Sequence, residues 1–206
     1  IPPAAVGTVP LKQYINFPNA TGDAPLVLAS QGGHIEVVYL LLQNSAIINA
    51  PDRSGNTGLH YAASRGHLKL VKMLLECGSD VNSTNVFGES PLHFACRNSQ
   101  VPVSKLLLKK GATVDVTSRA GYTPLHYAAG GPMGVSGELT ELLLSSGADS
   151  LAVTSAGQTA IERAALAGSH DSVIVINDFL MENPSGKKKK GKGKLKTKTV
   201  AKMARM

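Results

Sequence analysis

Between Thr57 and Gly78 the apolar positions fall in two short blocks with helical spacing. "TGLHYAASRG" predicts a helix of about two turns, in which Ala62 and Ala63 are small enough for close packing and Gly66 marks the end. "HLKLVKMLLECG" predicts a second helix with Leu68, Val71, Leu74 and Leu75 on one face. Gly78 stands just past its last turn, where a left-handed residue closes a helix. "SDVNSTNVFG" then reads as an extended crossing loop.

The same pattern returns along the chain. Units open at Gly22, Gly55, Gly88, Gly121 and Gly157, at intervals of 33, 33, 33 and 36 residues. A period of this length holds two short helices and a turn. One such pair cannot bury its own apolar face, so neighbouring pairs must stack. Five units predict ten helices in an all-α repeat solenoid, with the first and last acting as caps.

The fourth unit carries Gly121, Thr123, Pro124, Leu125, His126, Ala128 and Ala129. The second keeps Gly55, Thr57, Leu59, His60, Ala62, Ala63, Gly66 and His67, with Gly58 in place of Pro. The third keeps Pro91, Leu92, His93 and Ala95, with Ser90 for Thr and Cys96 for Ala. This Gly-x-Thr-Pro-Leu-His-x-Ala-Ala pattern resembles the ankyrin repeat family over about residues 19–182. The resemblance implies helix-turn-helix units joined by β-hairpin-like loops. Repeats are expected near 19–51, 52–84, 85–117, 118–153 and 154–182, between an N-terminal flank or cap (1–18) and a basic tail (183–206). "LKQYI" is the part of the flank suited to a short helical cap.

Departures from the pattern sit at the ends and at one insertion. The first unit has Val27 for His and Ser30 for Ala; the fifth has Ala160-Ile161-Glu162 for Pro-Leu-His. Terminal repeats are expected to be atypical. The fourth unit holds three extra residues within "GGPMGVSGE". Pro132, Gly134 and Gly137 argue against helix there, so a lengthened turn is expected.

The composition adds an asymmetry. All fourteen Asp and Glu lie before residue 184, whereas residues 184–206 carry ten Lys or Arg and no acid. The formal net charge of +7 therefore belongs to the tail. That segment has almost nothing to bury and is expected to be disordered in isolation. Lys187, Lys188, Lys189, Lys190, Lys192, Lys194, Lys196 and Lys198 are candidate contacts for nucleic acid or another anionic partner, an anionic membrane included; an import signal and a passive solubilising tail are the other readings. Two cysteines, Cys77 and Cys96, each at a helical packing position, give no disulfide framework and weakly favour a reducing compartment. No run of 18 apolar residues occurs, so no membrane span is expected. The expected location is cytoplasmic or nuclear. An organelle stays open because the sequence begins at Ile1.

Nothing in the sequence assembles catalytic chemistry. His60, His93 and His126 recur at intervals of 33, and the resemblance implies that they tie neighbouring turns together. His34 and His67 open second helices. Asp80, Asp115 and Asp149 read as equivalent turn residues that accept backbone N–H bonds. Asn49 and Asn82 follow second helices; Asn82, with Asp80 two residues before it, matches the context in which some animal ankyrins are hydroxylated, although a turn-stabilising role is the plainer reading. No cofactor, metal or enzyme activity is expected.

The family implies partners at the loop tips and the exposed side of the first helices. Carried onto this chain, those positions include Arg53, Asn56, Arg65, Val86, Phe87, Glu89, Arg97, Arg119 and Tyr122. Aromatics and Arg are enriched among residues that dominate binding energy, which singles out Phe87 and Tyr122. The arginines make an acidic peptide or a nucleic-acid backbone a suitable ligand. The leading expectation is a non-catalytic adaptor for another protein, a monomer within a hetero-complex rather than a homo-oligomer. The alternative is a structural subunit of a ribonucleoprotein or chromatin-linked assembly whose tail contacts nucleic acid.

Overall fold

Five helix pairs follow one another along the chain. In the computed structural model, which describes residues 14–131 and 136–187, they are α1 (Pro25–Gln31) with α2 (Ile35–Gln43) and α3 (Gly58–Arg65) with α4 (Leu68–Glu76). Next come α5 (Pro91–Arg97) with α6 (Val101–Lys109), α7 (Pro124–Ala129) with α8 (Ser136–Ser145), and α9 (Ala160–Leu166) with α10 (His170–Glu182). First helices pack in a row, α1 on α3, α3 on α5, α5 on α7 and α7 on α9. The second helices α4, α6, α8 and α10 form a parallel row. This is an all-helical repeat solenoid of ten helices among the described residues.

Local chemistry sets each start. Pro25, Pro91 and Pro124 occupy the first turn, where a missing N–H costs nothing. Thr57, Ser90 and Thr123 precede their helices and share a reciprocal capping box with the histidine three residues on. At the second unit Gly58 replaces the usual proline for a packing reason. A Cβ there would lie 2.6 Å from Ser30 Oγ and 2.8 Å from Leu26 Cδ2, both on α1.

One continuous core runs through the stack. Leu59, Leu92 and Leu125 from first helices meet Leu70, Leu74, Leu107, Leu139 and Leu143 from second helices, all effectively inaccessible. The last pair ends it with Ile176 and Phe179 on α10. Burying a side chain of this size contributes about 1.5–3 kcal/mol. Leu68, expected in the core, is 41% exposed, and Leu70 takes the buried place. Leu68 opens α4 on its solvent side, while Leu70, Val71 and Leu74 form the stripe between neighbours. Cys77 likewise falls outside the core: it caps α4 and is exposed, whereas Cys96 is buried.

The loops are hairpin-like without forming a named strand among the described residues, where Val153 and Thr159 make an isolated bridge. Each turn closes with two backbone bonds: Asn85 N–H donates to the Glu89 carbonyl (3.0 Å) and Gly88 N–H to the Asn85 carbonyl (2.9 Å), and likewise Ser118 N–H to the Tyr122 carbonyl (2.8 Å) and Gly121 N–H to the Ser118 carbonyl (2.9 Å). Gly88 and Gly121 supply the left-handed residue these turns need (φ 73° and 76°).

A second ladder joins successive units beyond the second helices. Asn16 Oδ1 accepts from Ile47 N–H (2.7 Å), Asn49 Oδ1 from Asp80 N–H (3.2 Å), Asn82 Oδ1 from Thr113 N–H (2.8 Å) and Asp115 Oδ1 from Asp149 N–H (2.9 Å). Asp115 therefore stands in the register of Asn49 and Asn82, not of Asp80 and Asp149 as the sequence suggested. Asp80 and Asp149 instead accept from the N–H two residues on, at Asn82 and Leu151. Asn82 also donates to the Gly111 carbonyl (3.1 Å), so both ends of its amide hold turns together.

The insertion yields one correction. Pro132 and Gly134 lie outside the described residues, but α8 already begins at Ser136 and contains Gly137. A Cβ on Gly137 would lie 2.9 Å from Asp171 Cβ, so the glycine lets α8 approach α10 closely. Close helix packing, rather than a turn, accounts for it.

Candidate binding surface

The three recurring histidines connect the units. His60 Nδ1 accepts from the Thr57 backbone N–H (3.1 Å), which leaves its proton on Nε2. That Nε2–H donates to the Glu89 carbonyl of the next unit (3.1 Å). His93 donates to the Tyr122 carbonyl and His126 to the Gln158 carbonyl, both at 3.0 Å. Burial lowers the pKa of all three, that of His93 to about 4, because the charged imidazolium is poorly solvated there. They are neutral structural links. In the fifth unit Glu162 replaces this His and accepts from its own Thr159 N–H (2.8 Å).

The loop tips are bonded to one another. Val86 N–H donates to the Ser54 carbonyl (2.9 Å), Arg119 N–H to the Phe87 carbonyl (2.8 Å) and Ser155 N–H to the Ala120 carbonyl (3.0 Å). The tip backbone is thus fixed while its side chains point outward. Phe87 is 57% exposed and Val86 41%. Arg119 is exposed beside them. Arg53 is also exposed, but its guanidinium donates to the Ala20 carbonyl (2.7 Å) and braces the first loop.

Two residues expected at the surface are buried instead. Asn56 donates its amide to Asp52 Oδ2 (3.1 Å) and accepts from Asn85 Nδ2 (2.9 Å). Glu89 pairs with Arg97, accepts from the Tyr127 hydroxyl (2.8 Å) and sits near Asn85 Nδ2 (3.4 Å). Both follow the turn glycine directly, where the chain turns their side chains toward the first-helix row. Burial alone would raise the Glu89 pKa; the Tyr127 hydrogen bond and the Arg97 charge outweigh it and hold the carboxyl below its usual value. Asp52 behaves alike, with burial opposed by hydrogen bonds from Tyr61 and Asn56.

Along this face the structure assembles an arginine–aromatic stack. The Arg97 guanidinium lies 5.4 Å from the Phe94 ring centre and 4.3 Å from that of Tyr127. Tyr127 stacks on Tyr122 at 5.2 Å with planes 20° apart, and Arg163 covers Tyr122 at 5.1 Å. Such cation–π contacts contribute about 0.5–2 kcal/mol each. Arg97 and Tyr122 were expected here; Phe94, Tyr127 and Arg163 were not. Their signal was present: Tyr61, Phe94 and Tyr127 each follow a repeat histidine.

Arg65 lies apart from this stack. It is exposed on α3 and, with Gln31, Tyr61, Ser64, Asn98 and Gln100, lines an open groove of about 510 Å³.

Of the tail contacts, Lys187 alone is described. It lies 3.7 Å from Asp115 Oδ2 and 3.4 Å from Asp149 Oδ2. Just before it, the Gly186 carbonyl accepts from Ser150 N–H (2.9 Å) and Ser150 Oγ (3.0 Å), so 183–187 turns back onto the solenoid. Lys188, Lys189, Lys190, Lys192, Lys194, Lys196 and Lys198 lie outside the described residues, as does the "LKQ" of the expected cap. Among the described residues no group of three His, Cys, Asp or Glu is placed to hold a metal, and no helix is long and apolar enough to cross a membrane.

The family model for ankyrin repeats (three copies) matches residues 8–85 and 77–152. That is more than half of the sequence, and the chain belongs to the ankyrin repeat family. Ankyrin repeats are generally protein–protein interaction modules, and the proteins built from them are typically non-enzymatic. Comparison with curated proteins gives no match.

Proposed function

We propose that this chain is a non-catalytic adaptor that binds a protein partner through its loop tips and the exposed side of its first helices. The carrying observation is Phe87, 57% exposed on a loop whose backbone is bonded to both neighbouring loops. An exposed aromatic on a fixed backbone loses little conformational freedom on binding, so more of its burial appears as affinity. Val86, Arg119 and the Arg97–Tyr127–Tyr122–Arg163 stack extend the surface. The chain acts as a monomer within a hetero-complex, in the cytoplasm or nucleus.

The test is capture of partners from native extract with the full chain and with Phe87→Ala. Loss of a protein partner in the variant, with circular dichroism unchanged, supports this reading. A partner set unchanged by Phe87→Ala and by Arg119→Glu contradicts it. The lysine run supports a second reading, a structural subunit of a nucleic-acid-bound assembly. On that reading RNA or DNA is captured, is lost with residues 188–206, and falls steeply with salt.

A further inference from the structure

Three first helices of the row meet around the groove. Gln31 ends α1, Tyr61, Ser64 and Arg65 belong to α3, and Asn98 and Gln100 flank the end of α5. Its volume of about 510 Å³ suits a short peptide segment rather than a single ion.

The formal charge lining the groove is positive and comes from Arg65. Asn98 Nδ2 donates to Ser64 Oγ (3.0 Å) and to the Phe94 carbonyl (2.9 Å). The Ser64 oxygen accepts that bond and keeps its own proton to donate. Arg65 adds a guanidinium that no described acid pairs with, in contrast to Arg97, which is neutralised by Glu89. Gln31 and Gln100 add side-chain amides. The acid bonded to this wall, Asp52, is already satisfied. Its Oδ2 accepts from the Tyr61 hydroxyl (2.6 Å) and its Oδ1 from the Ser54 and Asn56 N–H groups (2.8 Å each). The Tyr61 ring is left as an apolar wall, its hydroxyl turned to Asp52.

We infer that this groove is a binding site for an acidic peptide segment, with a Glu or Asp carboxylate seated on Arg65 and Ser64. A planar guanidinium beside a hydroxyl donor matches the two oxygens of a carboxylate. The inference rests on the protein-binding reading and names the chemistry of one part of the partner. It is separable from the loop-tip contact, because Arg65 and Phe87 lie in different units.

The test uses the full chain, ¹⁵N-labelled, titrated with a hexaglutamate peptide and watched by NMR. The expected result is shifts at Ser64, Arg65, Asn98 and Gln100, with affinity weakened about tenfold or more in Arg65→Glu and partly kept in Arg65→Lys. Arg65 is exposed and supports no other side chain, so an unchanged melting curve certifies the variant. Shifts confined to the lysines beyond residue 186, or unchanged in Arg65→Glu, overturn the inference. Equal shifts at the groove with an oligouridylate also overturn it, since the site would then read phosphate. Failure here with partner capture still lost in Phe87→Ala leaves the adaptor reading standing and removes the groove from it.

Discussion

The Arg97 guanidinium lies 4.3 Å above the Tyr127 ring, and Tyr127 donates its hydroxyl to Glu89, the acid that Arg97 itself pairs with. Three residues from two units thus hold one another. The buried acid has three partners, and the arginine is held over an aromatic surface.

Removing one member should show that coupling. Tyr127→Phe keeps the ring but deletes a hydrogen bond to a carboxylate, an interaction of about 1.5–3 kcal/mol. We expect the unfolding free energy from urea titration to fall by about 1.5 kcal/mol. A change within error would mean that Arg97 and Asn85 satisfy Glu89 alone.

The buried histidines predict acid sensitivity. His93 titrates at about 4 in the folded chain against about 6.5 unfolded, and His60 and His126 are shifted in the same direction. Above pH 6.5 neither state binds these protons, so their linkage is silent. Between pH 6.5 and 4 the unfolded chain takes up protons that the folded chain refuses, and stability falls as pH falls. His93 alone contributes a loss of about 3 kcal/mol across that window. Urea midpoints measured from pH 7.5 to 4.5 check this, and His93→Gln should flatten the slope.

The two thiols should differ sharply. Cys77 is exposed, while Cys96 is fully buried near Ser104 and pushed by burial up to about 12. Only a thiolate reacts quickly. Iodoacetamide at pH 8 should add one label to the native chain and two in urea, as read by mass spectrometry.

The root of the tail offers a contrast of two substitutions. Lys187 is 58% exposed in its side chain, so Lys187→Ala should cost under about 1 kcal/mol despite two facing carboxylates. Gly186 has φ 74°, and a Cβ there would lie 2.5 Å from Leu151 Cγ. Gly186→Val should therefore release the 183–187 turn, seen as loss of amide protection at Ser150, with a larger fall in melting temperature than Lys187→Ala causes.

Much of this was legible in the sequence, because stacking chemistry repeats. The glycine interval gave the turns, and the Thr-Pro-Leu-His segment gave the capped first helices. The spacing of His60, His93 and His126, read through the family, placed the forward hydrogen bonds. What escaped depends on side-chain direction between units. Asn56 and Glu89 look like loop-tip residues in one dimension; only the stack shows them turned toward Tyr61 and Tyr127. Arg163 gains its meaning from Tyr122, which comes from the preceding unit, and Phe94 from the arginine one turn along its own helix. Gly137 reads as a helix breaker until α10 is seen to press against it.

The central claim is that partners meet the loop-tip and first-helix side rather than the second-helix side. Photo-crosslinking tests it most directly, with the reactive side chain placed at residue 87 or, on the exposed surface of α4, at residue 69. The account predicts a protein adduct from position 87 and none from position 69. Adducts from 69 alone would contradict it.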